Sequence, residues 1–368
     1  MAELERVAAD AALEPKTACL TYLRPAEGQN ITVIFTEGAV THGFWWQPSY
    51  TMRDGTIWAK QLSENFFDAV DLARKNGRTA QALDKLADDM RRLGDEAVTW
   101  FLPREAVEAV DVLPPGSVLQ IQTNEFFIPW EILPHKQGKT WGETFALLRV
   151  VIPFIPGSED PFSRKGVRFE AAGRIERLIV TSDAARAAVV QELCTSLNGP
   201  ETVSRPSETE DRPWTYPDLI SKSKGVSFLA ILCHGSLEEN FGQVLWLRSK
   251  GTGHRDYLNV LGCASLPLAE NSTVVLASCH GGAGRSEWGG TSLAYTLARS
   301  RRFTVAASWA NVWDISGAEV IKRLAGVKNF GGQAMATELR DMRNDLAEAG
   351  YSDVLAFGVT VAPTKGSD

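Results

Sequence analysis

Two short patterns in the sequence could carry chemistry, and each follows a run of apolar residues. The run 226–232 leads into Cys-His-Gly at 233–235, and the run 273–278 leads into Cys-His-Gly-Gly at 279–282. A thiolate nucleophile needs an imidazole nearby to take its proton, and neighbouring strands can bring the two together from distant positions. In open α/β sheets such groups meet at the carboxyl ends of the strands. The patterns therefore favour nucleophilic chemistry by one cysteine and one histidine.

Strand geometry selects one member of each pair. If Cys233 belongs to the buried strand, His234 is the first residue beyond the sheet edge and faces the cleft. Cys279 is likewise the first residue after the run 274–278. We therefore predict His234 as the general base and Cys279 as the nucleophile. The backbone N–H groups of Gly235 and Cys279 are the candidate oxyanion-hole donors, because glycine lets a substrate carbonyl approach closely.

Three other interpretations stay open on these residues alone. The cysteines could be small core side chains, with the histidines as polar residues at strand ends. Residues 281–290 could bind a phosphate, although neither GxxxxGK[ST] nor GxGxxG occurs there. A zinc site is disfavoured, since adjacent Cys-His pairs point to opposite faces of a strand. Its candidate ligands are Cys233, His234, Cys279, His280, Cys263 and His254.

Composition excludes several classes of partner. The 368 residues include 45 acidic and 38 basic side chains, for a net charge of -7, and no basic block occurs. We therefore expect neither nucleic acid nor a membrane surface as a partner. The most apolar stretch, 145–156, is interrupted by Arg149 and falls well short of the roughly 18 residues that span a bilayer. Glu3 and Glu5 stand where a secretory signal would carry basic residues, so we do not expect export by that route. The five scattered cysteines indicate reduced thiols in a cytoplasm. No cofactor is predicted.

Periodicity divides the chain into two regions. Residues 1–155 predict an α/β region of their own, with helices at 63–76 and 80–93 and Gly94 as a helix stop. The stretch 156–173 combines proline, glycine and charge and is predicted as a linker. In 174–368, short apolar runs alternate with helical patterns. This alternation predicts an α/β fold whose mostly parallel sheet lies between helices.

Six segments in order resemble the motifs of the CHAT peptidases, which belong to the same clan as caspases, separases and gingipains. IPWEILPH is similar to the motif that opens their protease region, and ALLRVVIPFIP follows at the usual interval. FLAILCHG resembles the strand that ends in the catalytic His-Gly, and STVVLASCHGGAG the strand that ends in the catalytic cysteine. VAASWANVWDISGAEVIKRL and DVLAFGVTV resemble the next strand and the closing strand.

The resemblance implies a caspase-like three-layer fold with His234 and Cys279 as a catalytic dyad, and makes the N-terminal region a candidate pseudo-protease half. Asp314 is an acidic candidate for the specificity pocket and would favour a basic residue before the scissile bond, or else it is a helix N-cap. Trp309 is either a wall of that pocket or a buried residue at a strand end. The family usually has proline and acidic residues after this tryptophan, and here 310–313 read Ala-Asn-Val-Trp.

These observations predict a cysteine endopeptidase that cleaves a specific protein, with a neighbouring gene product as the expected substrate. The chain lacks the helical repeats that CHAT peptidases often use for recognition, so we expect a separate activating partner or signal. The family resemblance implies a context of antiviral defence or regulated cell death in bacteria. The alternative function is a catalytically silent, caspase-like interaction scaffold.

Overall fold

A computed structural model describes residues 15–24, 30–48, 50–125, 127–151, 177–181, 187–197, 203–204, 215–238, 242–247, 257–279, 292–301, 303–327, 331–348 and 351–361. The predicted linker 156–173, the glycine-rich stretch 281–290, His254 and His280 lie outside the described residues. In the described part, no helix is both long and apolar enough to cross a membrane.

The centre of the fold is a large mixed sheet. From one edge to the other its described strands are β3 (Val40–Trp46), β2 (Ile31–Glu37), β1 (Thr17–Leu23), β4 (Val118–Thr123), β5 (Ala146–Val151), β14 (Phe357–Val361), β13 (Thr304–Ser308), β12 (Thr273–Ala277), β8 (Phe228–Leu232), β6 (Arg177–Thr181) and β7 (Val203–Ser204). Neighbouring strands are parallel except β3–β2, β2–β1 and β14–β13. A separate antiparallel sheet contains β9 (His234–Glu238), β10 (Gly242–Trp246) and β11 (Tyr257–Leu258).

Helices cover the sheet, and the described ones follow in chain order. They are α1 (Met52–Lys75), α2 (Ala80–Phe101), α3 (Arg104–Val110), α4 (Trp141–Thr144), α5 (Ala187–Ser196), α6 (Tyr216–Lys222), α7 (Val260–Ala264), α8 (Leu293–Arg301), α9 (Asp314–Ala325) and α10 (Gly332–Glu348), with 3₁₀ turns at Trp130–Ile132 and Ser352–Ala356. Side chains of α5, α9 and α10 share one apolar cluster with β8 and β12. Those of α6, α7 and α8 form a second cluster with the same strands.

The main strands of the C-terminal region are buried on both faces. Every residue of β8, β12 and β13 is buried, which is typical of parallel strands that are covered by helices on each side. The predicted α/β fold with a mostly parallel sheet between helices is thus confirmed. The sheet continues from β5 into β14, and so joins strands from both predicted regions. The boundaries 1–155 and 174–368 themselves stay a prediction.

Several elements differ from the sequence prediction. The antiparallel strands β1, β2 and β3 were not predicted, and α1 begins at Met52 rather than at residue 63, behind a capping box formed by Thr51 and Asp54. The prediction that Gly94 ends α2 is wrong, because the helix continues to Phe101. A Cβ atom at Gly94 would lie 2.5 Å from the carbonyl oxygen of Ile132. Gly94 therefore serves the close packing of α2 on the turn Trp130–Ile132.

A buried ion pair lies where the two predicted regions meet. The Glu131 carboxylate is fully buried and accepts hydrogen bonds from Arg149 on β5, at 3.2 Å from Nε and 2.5 Å from Nη2. Gly358 of β14 lies against the same carboxylate, and a Cβ atom there would overlap it. Arg343 of α10 donates to the carbonyl oxygens of Gly142, at 2.7 Å, and Phe357. Glu131 therefore lies at the contact between the turn Trp130–Ile132, β5 and β14.

Glu131→Gln is expected to destabilise the protein by about 3 kcal/mol, because it leaves the Arg149 guanidinium largely buried without its counter-charge. The matched control is Glu108→Gln, which removes the charge from an exposed pair with Arg104 and should cost less than about 1 kcal/mol. Urea unfolding followed by tryptophan fluorescence gives both values. Equal losses in the two variants would contradict the importance of the buried pair.

Candidate active site

The register of two neighbouring strands sets the position of the predicted dyad. In the parallel pair β8–β12, Leu232 is the partner of Ala277. His234 and Cys279 each follow two residues later, so the chain brings them to adjacent positions at the same edge of the sheet. Helix α9 packs closely on these two strands at Gly317, which has no side chain. A Cβ atom at Gly317 would lie 3.0 Å from Leu232 and 3.2 Å from Ala277.

Gly235 lies directly against the backbone of Cys279. A Cβ atom on Gly235 would overlap the carbonyl oxygen of Cys279 and would lie 3.1 Å from its carbonyl carbon and 3.2 Å from its nitrogen. Real Cβ atoms are almost never found at such separations from backbone. The predicted reason for a glycine beside the histidine was room for a substrate. The structure gives a second reason, which is that the backbone of Gly235 lies in contact with the backbone of Cys279.

The Cys279 side chain is half-buried, and backbone groups surround its sulfur. The thiol donates a long hydrogen bond to the carbonyl oxygen of Val312, with Sγ and O 3.8 Å apart. Burial raises the pKa of Cys279, hydrogen bonds to backbone groups of Val312, Cys279 and Gly235 lower it, and the charge of Asp353 raises it again. The net shift is upward, so the protonated thiol is the favoured resting form and a nearby base is needed to activate it.

His234 is exposed and begins a strand of its own. Sequence reasoning treated it as the residue after a strand end, but the bend at Cys233 separates β8 from β9, and His234 is paired with Trp246 of β10. The Trp246 indole in turn donates to the hydroxyl of Ser236, 2.7 Å away. The candidate base thus stands at the start of a hairpin, which holds its backbone more firmly than a loop would.

The other cysteines near the site belong to the core. Cys263 is fully buried, and Cys233 packs against the cluster that includes Leu245 and Leu276. Burial is the main cause that raises the pKa of both thiols. A smaller rise comes from Cys279 for the Cys233 thiol and from Cys233 for the Cys263 thiol. None of the five cysteines, all of which the structure describes, forms a disulfide, and the described residues contain no group of three or more potential metal ligands.

The two residues predicted for the specificity pocket lie on either side of the loop between β13 and α9. Trp309 is only 5% exposed, and its ring packs on Phe66 of α1 with the centroids 5.1 Å apart. Asp314 is half-buried and is the first residue of α9, where its carboxylate accepts the N–H of Ile315 at 3.0 Å. The N-cap position itself is occupied by Trp313.

Sequence reasoning missed Asp353, which anchors this loop. The side chain is 1% exposed and accepts hydrogen bonds from the Trp313 N–H at 3.0 Å and from the Ser316 hydroxyl at 2.7 Å. It therefore caps the N-terminus of α9 from a distant part of the chain. Burial raises the pKa of Asp353, and the two hydrogen bonds lower it. The sequence signal for this role is a single acidic residue, Asp353, at the start of the apolar segment DVLAFGVTV.

Helix α1 of the N-terminal region packs on the same loop. Phe67 stacks beside Trp313 at a centroid distance of 5.4 Å, and the Arg74 guanidinium lies 3.7 Å above the Trp313 ring. A cation at this distance from an indole ring is attracted by the negative face of the π system. The loop that carries Val312, and hence the contact with the Cys279 thiol, is therefore held by α1 from one side and by Asp353 from the other.

Comparison with solved structures agrees with this architecture. The chain superposes on a chain of the crystal structure of the Saccharomyces cerevisiae separase–securin complex with a TM-score of 0.50 and 9% sequence identity, over 98% of this chain. The fold is caspase-like. The likeness is one of fold, and this chain spans 32% of the length of the yeast chain. Neither a protein-family model nor a curated protein sequence matches the chain.

Gly235→Ala is expected to destabilise the protein by about 1–3 kcal/mol, because the new methyl group would overlap the Cys279 backbone. Gly43→Ala is the matched control, since a Cβ atom there meets nothing within 4 Å. Thermal unfolding measures both variants. If Gly235→Ala were as stable as Gly43→Ala, the close contact between the strand ends would not exist.

Asp353→Asn is expected to lower the pKa of the Cys279 thiol, because removal of a nearby negative charge favours the thiolate. The pKa is measured as the midpoint of the pH profile for alkylation of Cys279 by iodoacetamide, with Cys279→Ser identifying the signal. Glu319→Gln, on the half-buried side of α9 where Glu319 pairs with Lys322, should leave the midpoint unchanged. A higher midpoint in Asp353→Asn would contradict the electrostatic coupling.

Proposed function

We propose that the protein is a cysteine endopeptidase of the CHAT type whose motifs it resembles, with Cys279 as nucleophile and His234 as general base. One observation carries the proposal. The β8–β12 register brings the ends of these two strands together, two residues before His234 and Cys279, and Gly235 lies against the Cys279 backbone. This arrangement would place a nucleophile, a base and backbone N–H donors within one small region.

The chemistry would begin with transfer of the Cys279 proton to the imidazole of His234. The thiolate would then attack the peptide carbonyl, and the backbone N–H groups of Gly235 and Cys279 would stabilise the oxyanion. The imidazolium protonates the departing amine. Water activated by His234 hydrolyses the thioester and regenerates the thiol. No third residue is required for these steps.

Asp314 is the proposed acidic determinant of specificity and would favour a basic residue before the scissile bond. Its side chain is half-buried at the start of α9, next to the loop that contacts the Cys279 thiol. Trp309, buried against Phe66 of α1 at the start of the same loop, would form a wall of this pocket.

The proposed substrate is a protein encoded by a neighbouring gene, and a second protein or signal would activate the enzyme. The raised pKa of the half-buried Cys279 thiol is consistent with a resting site of low reactivity. The proposed role in antiviral defence or regulated cell death rests on the resemblance to the CHAT peptidases.

The test is cleavage of candidate partners. Each neighbouring gene product, alone and in pairs, is incubated with the native protein, Cys279→Ala and His234→Gln, and fragments are identified by mass spectrometry. Native protein should give a fragment that Cys279→Ala does not produce. Loss of the general base should slow cleavage by about 10²–10⁴-fold.

Two variants serve as matched controls for the same substitutions elsewhere. Cys19→Ala changes a half-buried thiol on β1, and His42→Gln changes an exposed histidine on β3. Both should cleave at the native rate. Fragments formed equally by Cys279→Ala, or none with any partner, would contradict the proposal and favour the silent interaction scaffold.

A further inference from the structure

The strand β3 leaves one edge of the large sheet open. Among the strands that the structure describes, β3 pairs only with β2, so its other edge carries backbone N–H and C=O groups with no described strand beside them. Val40 and Trp45 on β3 are 53% and 79% exposed, although both have large apolar side chains. An exposed strand edge of this kind is a template for pairing with another strand.

The sequence of β3 has none of the features that usually block such an edge. Natural edge strands are often very short, or carry lysine, proline or a bulge. β3 is seven residues long, contains no lysine, arginine, carboxylate or proline, and pairs with β2 residue for residue along its whole length. An exposed tryptophan on a long, regular edge is typical of a contact surface.

The turn before β3 determines which of its backbone groups are free. Residues 38–39 form a two-residue turn in which Glu37 and Val40 are partners, and Gly38 has the positive φ, 56°, that the first position of a type II′ turn requires. Such a turn joins the N–H of its fourth residue to the C=O of its first. Val40 is therefore hydrogen-bonded to β2.

The backbone groups of Thr41, Gly43 and Trp45 point to the open edge. Hydrogen-bonded and non-hydrogen-bonded pairs alternate along antiparallel strands, so every second residue from Val40 to Trp46 bonds to β2. The three residues between them direct their N–H and C=O groups away from β2. The free groups are thus arranged symmetrically about Gly43.

This symmetry makes β3 complementary to a second copy of itself. When two β3 strands meet antiparallel about a two-fold axis at Gly43, Gly43 lies opposite Gly43 and Thr41 lies opposite Trp45. Each residue with free backbone groups then faces another such residue. All the free N–H and C=O groups at positions 41, 43 and 45 can therefore pair.

The side chains of β3 are compatible with the same register. The remaining pairs join an aromatic residue with a β-branched residue or with another aromatic residue, and both kinds stabilise antiparallel strands. They are Val40 with Trp46 and His42 with Phe44. Because β3 contains no lysine, arginine or carboxylate, the pairing brings no like charges of these strands together, although each copy has a net charge of -7.

We propose that β3 pairs with β3 of a second copy of this chain, antiparallel and centred on Gly43, so that the two large sheets become one. The contact is isologous, so it closes at the dimer. The Trp45 residues of the two copies would bury roughly 240–400 Å², and a single pair of strands gives a small interface, below about 1,200 Å². We therefore expect a dimer that dissociates in the micromolar range. The proposal goes beyond peptidase activity and does not depend on it.

Sedimentation velocity of the full chain at about 1–200 µM tests the association. The native chain should shift from monomer to dimer as its concentration rises, and should form nothing larger. Trp45→Lys puts a charge on the edge and should raise the dissociation constant by at least about tenfold. Leu261→Lys is the matched control, because Leu261 on α7 is 63% exposed and lies on a different element. It should dimerise as the native chain does.

A chain that stays monomeric throughout would overturn the proposal and favour a strand of another protein as the occupant of the edge. Equal dissociation constants for Trp45→Lys and Leu261→Lys would also overturn it. Circular dichroism and thermal unfolding verify that each variant is folded.

Oxidative cross-linking tests the register. Gly43→Cys should form an intermolecular disulfide, because the Cα atoms of a hydrogen-bonded antiparallel pair lie about 5.5 Å apart and a Cβ atom at Gly43 meets nothing within 4 Å. Val40→Cys is the control on the same strand, since the two copies of residue 40 would lie about 20 Å apart. Mass spectrometry identifies the linked peptides. Disulfides at both positions, or at neither, would overturn the proposal.

Discussion

The buried pair formed by Glu131 and Arg149, with Gly358 packed against its carboxylate, constrains how β5 and the turn Trp130–Ile132 meet β14. A fully buried carboxylate is costly unless it is paired and hydrogen-bonded, and Arg149 provides two donors. The pair lies where β5 meets β14, a short junction that matches Leu148 with Val359. Because Gly358 and α10 also converge there, this ion pair fixes the turn Trp130–Ile132 relative to the strands that carry the candidate site.

The candidate site is therefore a product of both regions of the chain. The strand ends that bear His234 and Cys279 come from one region, while the loop that contacts the Cys279 thiol is packed against Phe66 and Phe67 from the other. Helix α1 contributes no reacting atom, yet it supports the wall of the cleft. The N-terminal region thus supports the loop beside the candidate site.

Sequence periodicity predicted the strands and helices whose residues are buried at regular intervals. It did not predict features that depend on contacts between residues distant in sequence. The apolar runs at β8 and β12, and the alternation of strands with helices around them, were predicted because buried parallel strands and amphipathic helices leave clear patterns. The hairpin that begins at His234 was not predicted, since it follows β8 after a single bend. The role of Asp353 was equally hidden, because its partners Trp313 and Ser316 are distant in sequence.

The short turn Ser352–Ala356 has a consequence for how variants of this protein are interpreted. Ser352 and Leu355 line a cavity against α2, whereas Asp353 between them accepts hydrogen bonds from Trp313 and Ser316 at the start of α9. All three residues belong to one five-residue 3₁₀ turn, so a backbone shift at one of them is passed to the others. Changes at Ser352 or Leu355 will therefore disturb two surfaces at once, and substitutions on α2 are the cleaner means of separating them.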